Sequence, residues 1–414
     1  MNNICQQLLT VTALMLLIGN AHGMDKSKTQ IHGFVSQGYI KTSDNSFFGN
    51  SKKGSSDFRE LGINALKKLS DKIHIAGQLI SRDAGQADDG SISIDYALID
   101  FRLANNDNNH WGARTGRIKN NFGFYNATRD VAHTRPAILL PQSVYQDRLR
   151  NIYLSADKIE FYSNHFLNSG DLSLVAGIGI PVINNEQPEI TALGIDWGGK
   201  LVGKTSTLVQ AEYSHGQNWR FVAGMADIKT GFTRDPNFRF KGWPDPSNGL
   251  VHVKSVVFGV QYNMATWNLT GEFARQNNAL KNFTGFNFIQ DRAYTTEGFY
   301  LQYGYRFRHD VEVILRREEY YGDVTDRNGE AAAEKSRLAA LNGVPTPFAP
   351  RAAHNNFQKG STLGLRWHAT PKFLLQTEYH QINGTALLPA MDNPDLTQSI
   401  KKWDMLIVTG SYRF

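Results

Sequence analysis

Between residues 117 and 150 the chain reads "RIKNNFGFYNATRDVAHTRPAILLPQSVYQDRLR", which sets Arg117, Arg129, Arg135, Arg148 and Arg150 beside Asp130 and Asp147. Guanidinium groups are always charged, planar and forked, so arginines fixed in a narrow place of low dielectric attract anions. The same arginines paired with Asp130 and Asp147 would do no more than hold their own segment together. Sequence leaves both readings open. The segment is longer than about fifteen residues and has no helical or strand period, the mark of a functional or a disordered loop. Its apolar stretch "PAILLP", Pro136 to Pro141, needs a surface to pack on.

Other chemistries find little support. The histidines are scattered, with no H-E-x-x-H and no close His/Cys cluster, so neither a metal nor another cofactor is expected. There is no G-x-S-x-G and no P-loop. Ser143, His133 and His165 are the nearest approach to a nucleophile and base, and they keep open a barrel-based enzyme as an alternative class. The net charge of +6 arises from 44 basic residues spread among 38 acidic ones, which points away from a nucleic-acid partner.

The first residues look like an export signal. Leu8 to Ile18 is an apolar run too short to span a membrane, and Ala21 and Gly23 follow where cleavage is expected, although the preceding "MNNICQQ" lacks Lys and Arg. Residues 1–23 are therefore read as a signal peptide and 24–414 as one domain. The single cysteine, Cys5, falls in the leader, so no disulfide is expected in the exported chain.

From Ile31 onward the dominant period is two. In "EGFYLQYGYRF", residues 297 to 307, Phe299, Leu301, Tyr303, Tyr305 and Phe307 share one face, while Tyr300, Gln302 and Arg306 share the other. Long alternating runs meet at short turns such as His215 to Gln217, Asn263 to Thr266 and Ala369 to Lys372, with aromatics beside each turn. At the opposite ends they open into polar stretches at Asp44 to Asp57, Lys229 to Gly249, Asn277 to Ala293 and Gly322 to Asn356. The count is sixteen or eighteen strands, the segments 149–156 and 190–198 being the weakest. Runs of about ten residues with aromatic ends and alternating short and long connections suit a transmembrane antiparallel β-barrel better than a soluble sandwich.

The chain resembles Gram-negative outer-membrane porins in its opening strand "IHGFVSQGY", its hairpins, the long loop after the fifth strand and the ending "SYRF". That resemblance implies an outer-membrane location after signal cleavage. It implies a loop at about 119–148 folded into a water-filled channel for passive diffusion of small hydrophilic solutes, and no enzymatic activity. Arg114, Arg117, Arg129, Arg135, Arg148, Arg150, Asp130 and Asp147 would then form the constriction, with an anion preference. Arg102, Arg220, Arg306, Arg316, Arg366, Glu212, Glu272, Glu312 and Glu378, with Asp100 and Glu318, would line the lumen by alternation. The implied partners are membrane lipid and lipopolysaccharide, the barrel assembly machinery reading Tyr412 and Phe414, and two further copies in a homotrimer. An adhesin or receptor with a closed lumen is the remaining alternative. "GEAAAEKSRLAALNG", Gly329 to Gly343, is expected to be a short helix in an outer loop.

Overall fold

The computed structural model describes residues 29–194, 196–237, 248–283, 292–343 and 349–414; the expected signal peptide lies outside them. Sixteen antiparallel strands close a barrel, each paired with its neighbours in chain order. They are β1 (Thr29–Thr42), β2 (Phe58–Lys68), β3 (Ile73–Ala84), β4 (Asp89–Asn105), β5 (Asn109–Lys119), β6 (Ser155–Leu167), β7 (Gly170–Pro181) and β8 (Gly199–His215). The second half comprises β9 (Trp219–Arg234), β10 (Gly249–Asn263), β11 (Trp267–Lys281), β12 (Arg292–Arg308), β13 (Val311–Tyr321), β14 (Phe357–His368), β15 (Phe373–Gly384) and β16 (Lys402–Arg413). No helix among the described residues is long and apolar enough to cross a membrane.

The two weakest strand assignments are corrected to helix. Residues 149–156 fall on a 3-10 turn and on α1 (Arg150–Tyr153), which end the long loop before β6 begins. Residues 190–198 begin in α2 (Gln187–Leu193). Pro188 occupies its first turn, where a missing N–H costs nothing, and Gly194 ends it in the left-handed region at φ 92°. α3 (Glu330–Leu341) lies where the Ala-rich stretch predicts a helix. Several strands climb further than their apolar alternation suggested: β9 reaches Arg234 and β11 reaches Lys281, because backbone pairing continues where the outward residues have turned polar.

Alternation decides the faces. Leu406, Val408 and Tyr412 of β16 are open to the outside, whereas Met405, Ile407, Thr409 and Ser411 are buried within. The same holds for Phe299, Leu301, Tyr303, Tyr305 and Phe307 against Tyr300 and Gln302. Near the short turns, outward rings form a continuous belt from Tyr213 through Phe221, Trp219, Tyr262 and Trp267 to Tyr303, with centroids 4.5 to 6.5 Å apart. Amphipathic rings at this height suit a membrane interface. β1 and β16 close the seam with Val35 opposite Tyr412. Gly33 and Phe414 exchange backbone hydrogen bonds of 3.1 and 3.0 Å.

The interior departs from the wholly polar lumen expected. On β8 to β11 the inward positions Leu208, Ala226, Ile228, Val251, Val253, Val257 and Ala274 are apolar and belong to a buried core. They are apolar because something apolar covers them.

Candidate functional site

The covering element is the loop between β5 and β6, residues 120–154, which lies inside the barrel. Its two ends are clasped together: Asn120 N–H donates to the Leu154 carbonyl, and the side chains of Asn120 and Asn126 both donate to the Tyr153 carbonyl, at 3.0 and 2.8 Å. Phe122, Tyr125, Val144, Tyr145 and Tyr153 pack onto the apolar wall of β8 to β12. Farther along, Ile138 and Leu139 of "PAILLP" enter a second core with Ile40, Phe58, Ile382, Met405 and Ile407 at the barrel seam. That stretch is apolar because it seats against opposite walls of the barrel.

Wall carboxylates fix the loop at four places. Glu60 of β2 accepts both arms of the Arg135 guanidinium, at 3.1 and 2.7 Å. Glu272 of β11 accepts from the Phe124 N–H at 3.0 Å, the Tyr145 hydroxyl at 2.7 Å and the Tyr300 hydroxyl. Glu318 of β13 accepts from the Ser143 N–H at 3.0 Å. Glu378 of β15 accepts from the N–H groups of Ile138 and Leu139, while Arg316 of β13 donates to the Leu139 carbonyl at 3.0 Å. Inward glycines give the loop room: a Cβ at Gly298 would overlap the Ser143 carbonyl, and one at Gly259 would crowd the Phe124 ring.

The loop's own charges neutralise one another. Arg129 bonds Asp147 at 3.1 Å, Arg150 and Lys119 both bond Asp130, and Arg82 of β3 reaches Asp147 at 3.3 Å and Asp88. Burial opposes the charge on Asp130, yet Arg150 and Lys119 outweigh it and hold its carboxyl well below the usual carboxylate range. Burial likewise opposes Asp147, and Arg129 and Arg82 override it. Burial lowers Arg129 to about 10, so it stays charged at neutral pH.

The predicted site residues therefore divide. Arg129, Arg135, Arg150, Asp130 and Asp147 come together, but as a largely buried ion-pair network that anchors the loop. Arg148 donates to the Ala386 carbonyl and to the Tyr320 hydroxyl, tying the loop to the connection after β15. Arg117 does not belong to the constriction: it pairs with Asp157 of β6 at 2.9 Å on the outer face. Alternation from the inward Arg114 already requires this, since the two positions differ in parity.

Of the expected lumen residues, Glu272, Arg316, Glu318 and Glu378 face inward but lie under the loop instead of facing water. The others sit toward the short-turn end and are half-exposed or exposed. Arg220 pairs with Glu212 at 2.7 Å, Arg366 approaches Glu312 at 3.9 Å, Arg306 donates to the Met264 carbonyl, and Arg102 is exposed. Arg114 lies 4.2 Å over the Tyr162 ring, between Asp100 at 3.8 Å and Glu160 at 3.2 Å. Sequence reasoning missed Glu60, Lys119, Asp95, Lys158 and Arg82. Glu60, Arg82 and Lys158 have inward parity and Lys119 flanks the loop, a signal that was present but shared with many residues, whereas Asp95 turns inward only through the bulge opposite Gln78 and Leu79. Ser143, His133 and His165 do not converge. Ser143 lies against β12 and β13, His133 beside His368 of β14, and His165 near Trp111 on the outer face of β5 and β6. Among the described residues no group of His, Cys, Asp and Glu could hold a metal ion.

No protein-family model and no curated protein matches the chain. Solved structures do. The anion-selective porin from Comamonas acidovorans superposes with a TM-score of 0.55 at 12% identity, covering 93% of this chain and 99% of that one. OmpT, an outer membrane protein of Vibrio cholerae, gives 0.54 at 10% identity over 93% and 97%. Salmonella typhi OmpF gives 0.53 at 13% identity over 93% and 97%. At such identities the likeness is one of fold, and the fold is that of outer-membrane porins.

Proposed function

We propose that the protein is an outer-membrane channel for passive diffusion of small hydrophilic solutes. The reading rests on one observation above all: a closed barrel holds a loop inside its lumen that is pinned to β2, β11, β13 and β15 by buried carboxylates. A loop fixed at mid-height narrows a bore without moving, and polar half-exposed residues continue below it on β4 to β6. The porin fold of its structural neighbours, one of them described as a trimer form, supports a homotrimer as the working assembly.

The ion-paired state of Arg129, Arg135 and Arg150 removes the ground for an anion preference in the loop. Purified protein in planar bilayers is expected to show discrete conductance steps. Gly298→Val, which strikes the Ser143 carbonyl and lifts the loop off β12, should raise the step size, and a non-conducting protein would reject the channel.

A further inference from the structure

We infer, building on the channel reading, that solutes pass along the β4, β5 and β7 positions on one side of the lumen and that its outer mouth selects small hydrophilic cations. The inward residues of the other walls are sealed at mid-height: Val257 and Ile407 are 0% exposed, and Gln302, Thr362 and Glu378 are 4% or less. Along β4, β5 and β7 the corresponding positions remain partly open, among them Tyr96, Leu98, Arg114 and Gly177. Two inward glycines of β7, Gly177 and Gly179, keep this wall low, with the Lys158 chain lying against them.

Directly above, a polar cavity of about 350 Å³ opens between Ser91 and Ser93 of β4, Asn151 of the loop, and Asn184 to Glu186. Its cations are already spent. Arg82 is held by Asp88 and Asp147, Arg150 by Asp130, and the nearby Lys119 lies between Asp95 and Asp130. Asp89 and Glu186 are exposed and form no ion pair among the described residues. Around the cavity Arg82 and Arg150 thus face Asp88, Asp89, Asp95 and Glu186, so the uncompensated charge is negative. Low-dielectric walls focus such a field on passing ions. Below the mouth, Arg114 is flanked by Asp100 and Glu160 and offers anions no free charge.

The described chain contains no cysteine, so single thiols report the route. In a Cys5→Ser background, Ser93→Cys places one in the mouth. Ser255→Cys places one on the sealed wall, where the Tyr153 hydroxyl lies 2.6 Å from Ser255. Ser93→Cys should react about tenfold faster with a cationic than with an anionic methanethiosulfonate and lose conductance on labelling, while Ser255→Cys should stay unlabelled. Reversal potentials in a salt gradient should show cation selectivity, falling toward none in Asp89→Asn/Glu186→Gln. A conducting protein that is anion-selective, that keeps its selectivity in the double variant, or that labels equally at Ser255→Cys overturns the assigned route alone. A protein without conductance overturns the channel reading, and the route with it.

Discussion

At the scale of the residue, the arginines of the long loop carry the argument, because their chemistry admits two opposite uses. A guanidinium left open to water would select anions. One buried against a carboxylate is committed to structure, since removing its partner strands a charge in low dielectric. Arg135 and Glu60, both nearly fully buried and joined by two hydrogen bonds, are of the second kind. Arg135→Ala and Glu60→Gln should each destabilise the folded loop by about 3–5 kcal/mol. The double variant should cost little more than either single one, as read from urea midpoints of the heat-modifiable band. Sequence identified these arginines but could not choose between the two uses, because the deciding partner, Glu60, lies 75 positions away. Arg117 was decidable: parity alone sends it outward.

At the scale of the element, the period-two pattern revealed the strands and the faces. It failed where helix and strand compete over short stretches, as at Glu189 and its neighbours. α2 buries Glu189, whose carboxyl accepts from the Trp197 N–H at 3.3 Å. Burial pushes that carboxyl up to about 7, the Trp197 N–H opposing. Below its ordinary value of 4.5, folded and unfolded forms are both protonated and nothing is lost. Between 4.5 and 7 the folded form keeps a proton the unfolded form has released, and above 7 the buried charge costs its full desolvation. The α2 region should therefore be tightest in acid and loosen as the pH rises from about 4.5 to about 7. Amide exchange at Trp197, corrected for intrinsic rates, should quicken across that window, and Glu189→Gln should flatten the trend.

At the scale of the whole molecule, the terminal aromatic completes the barrel. Phe414 stacks on Tyr412 at 6.4 Å, and its ring covers Gly33 so closely that a Cβ there would collide with it. An edge strand in lipid leaves backbone groups unpaired, so deletion of Phe414 or Gly33→Val should lower the folded fraction in the outer membrane several-fold, measured by heat-modifiable mobility. Normal levels of both variants would contradict this role. The pinned loop has a consequence of another sort, in the order of assembly. Its anchors reach from Glu60 to Glu378, and the contact from Ile138 to Glu378 spans 240 positions. Contacts of such separation form only after most of the chain is in place. Until β15 arrives, Ala137 to Leu140 have no complete wall to enter and remain an exposed apolar segment. Seating of the loop thereby reports that the barrel is whole, and an unfinished barrel stays marked by the greasy stretch it has not yet swallowed.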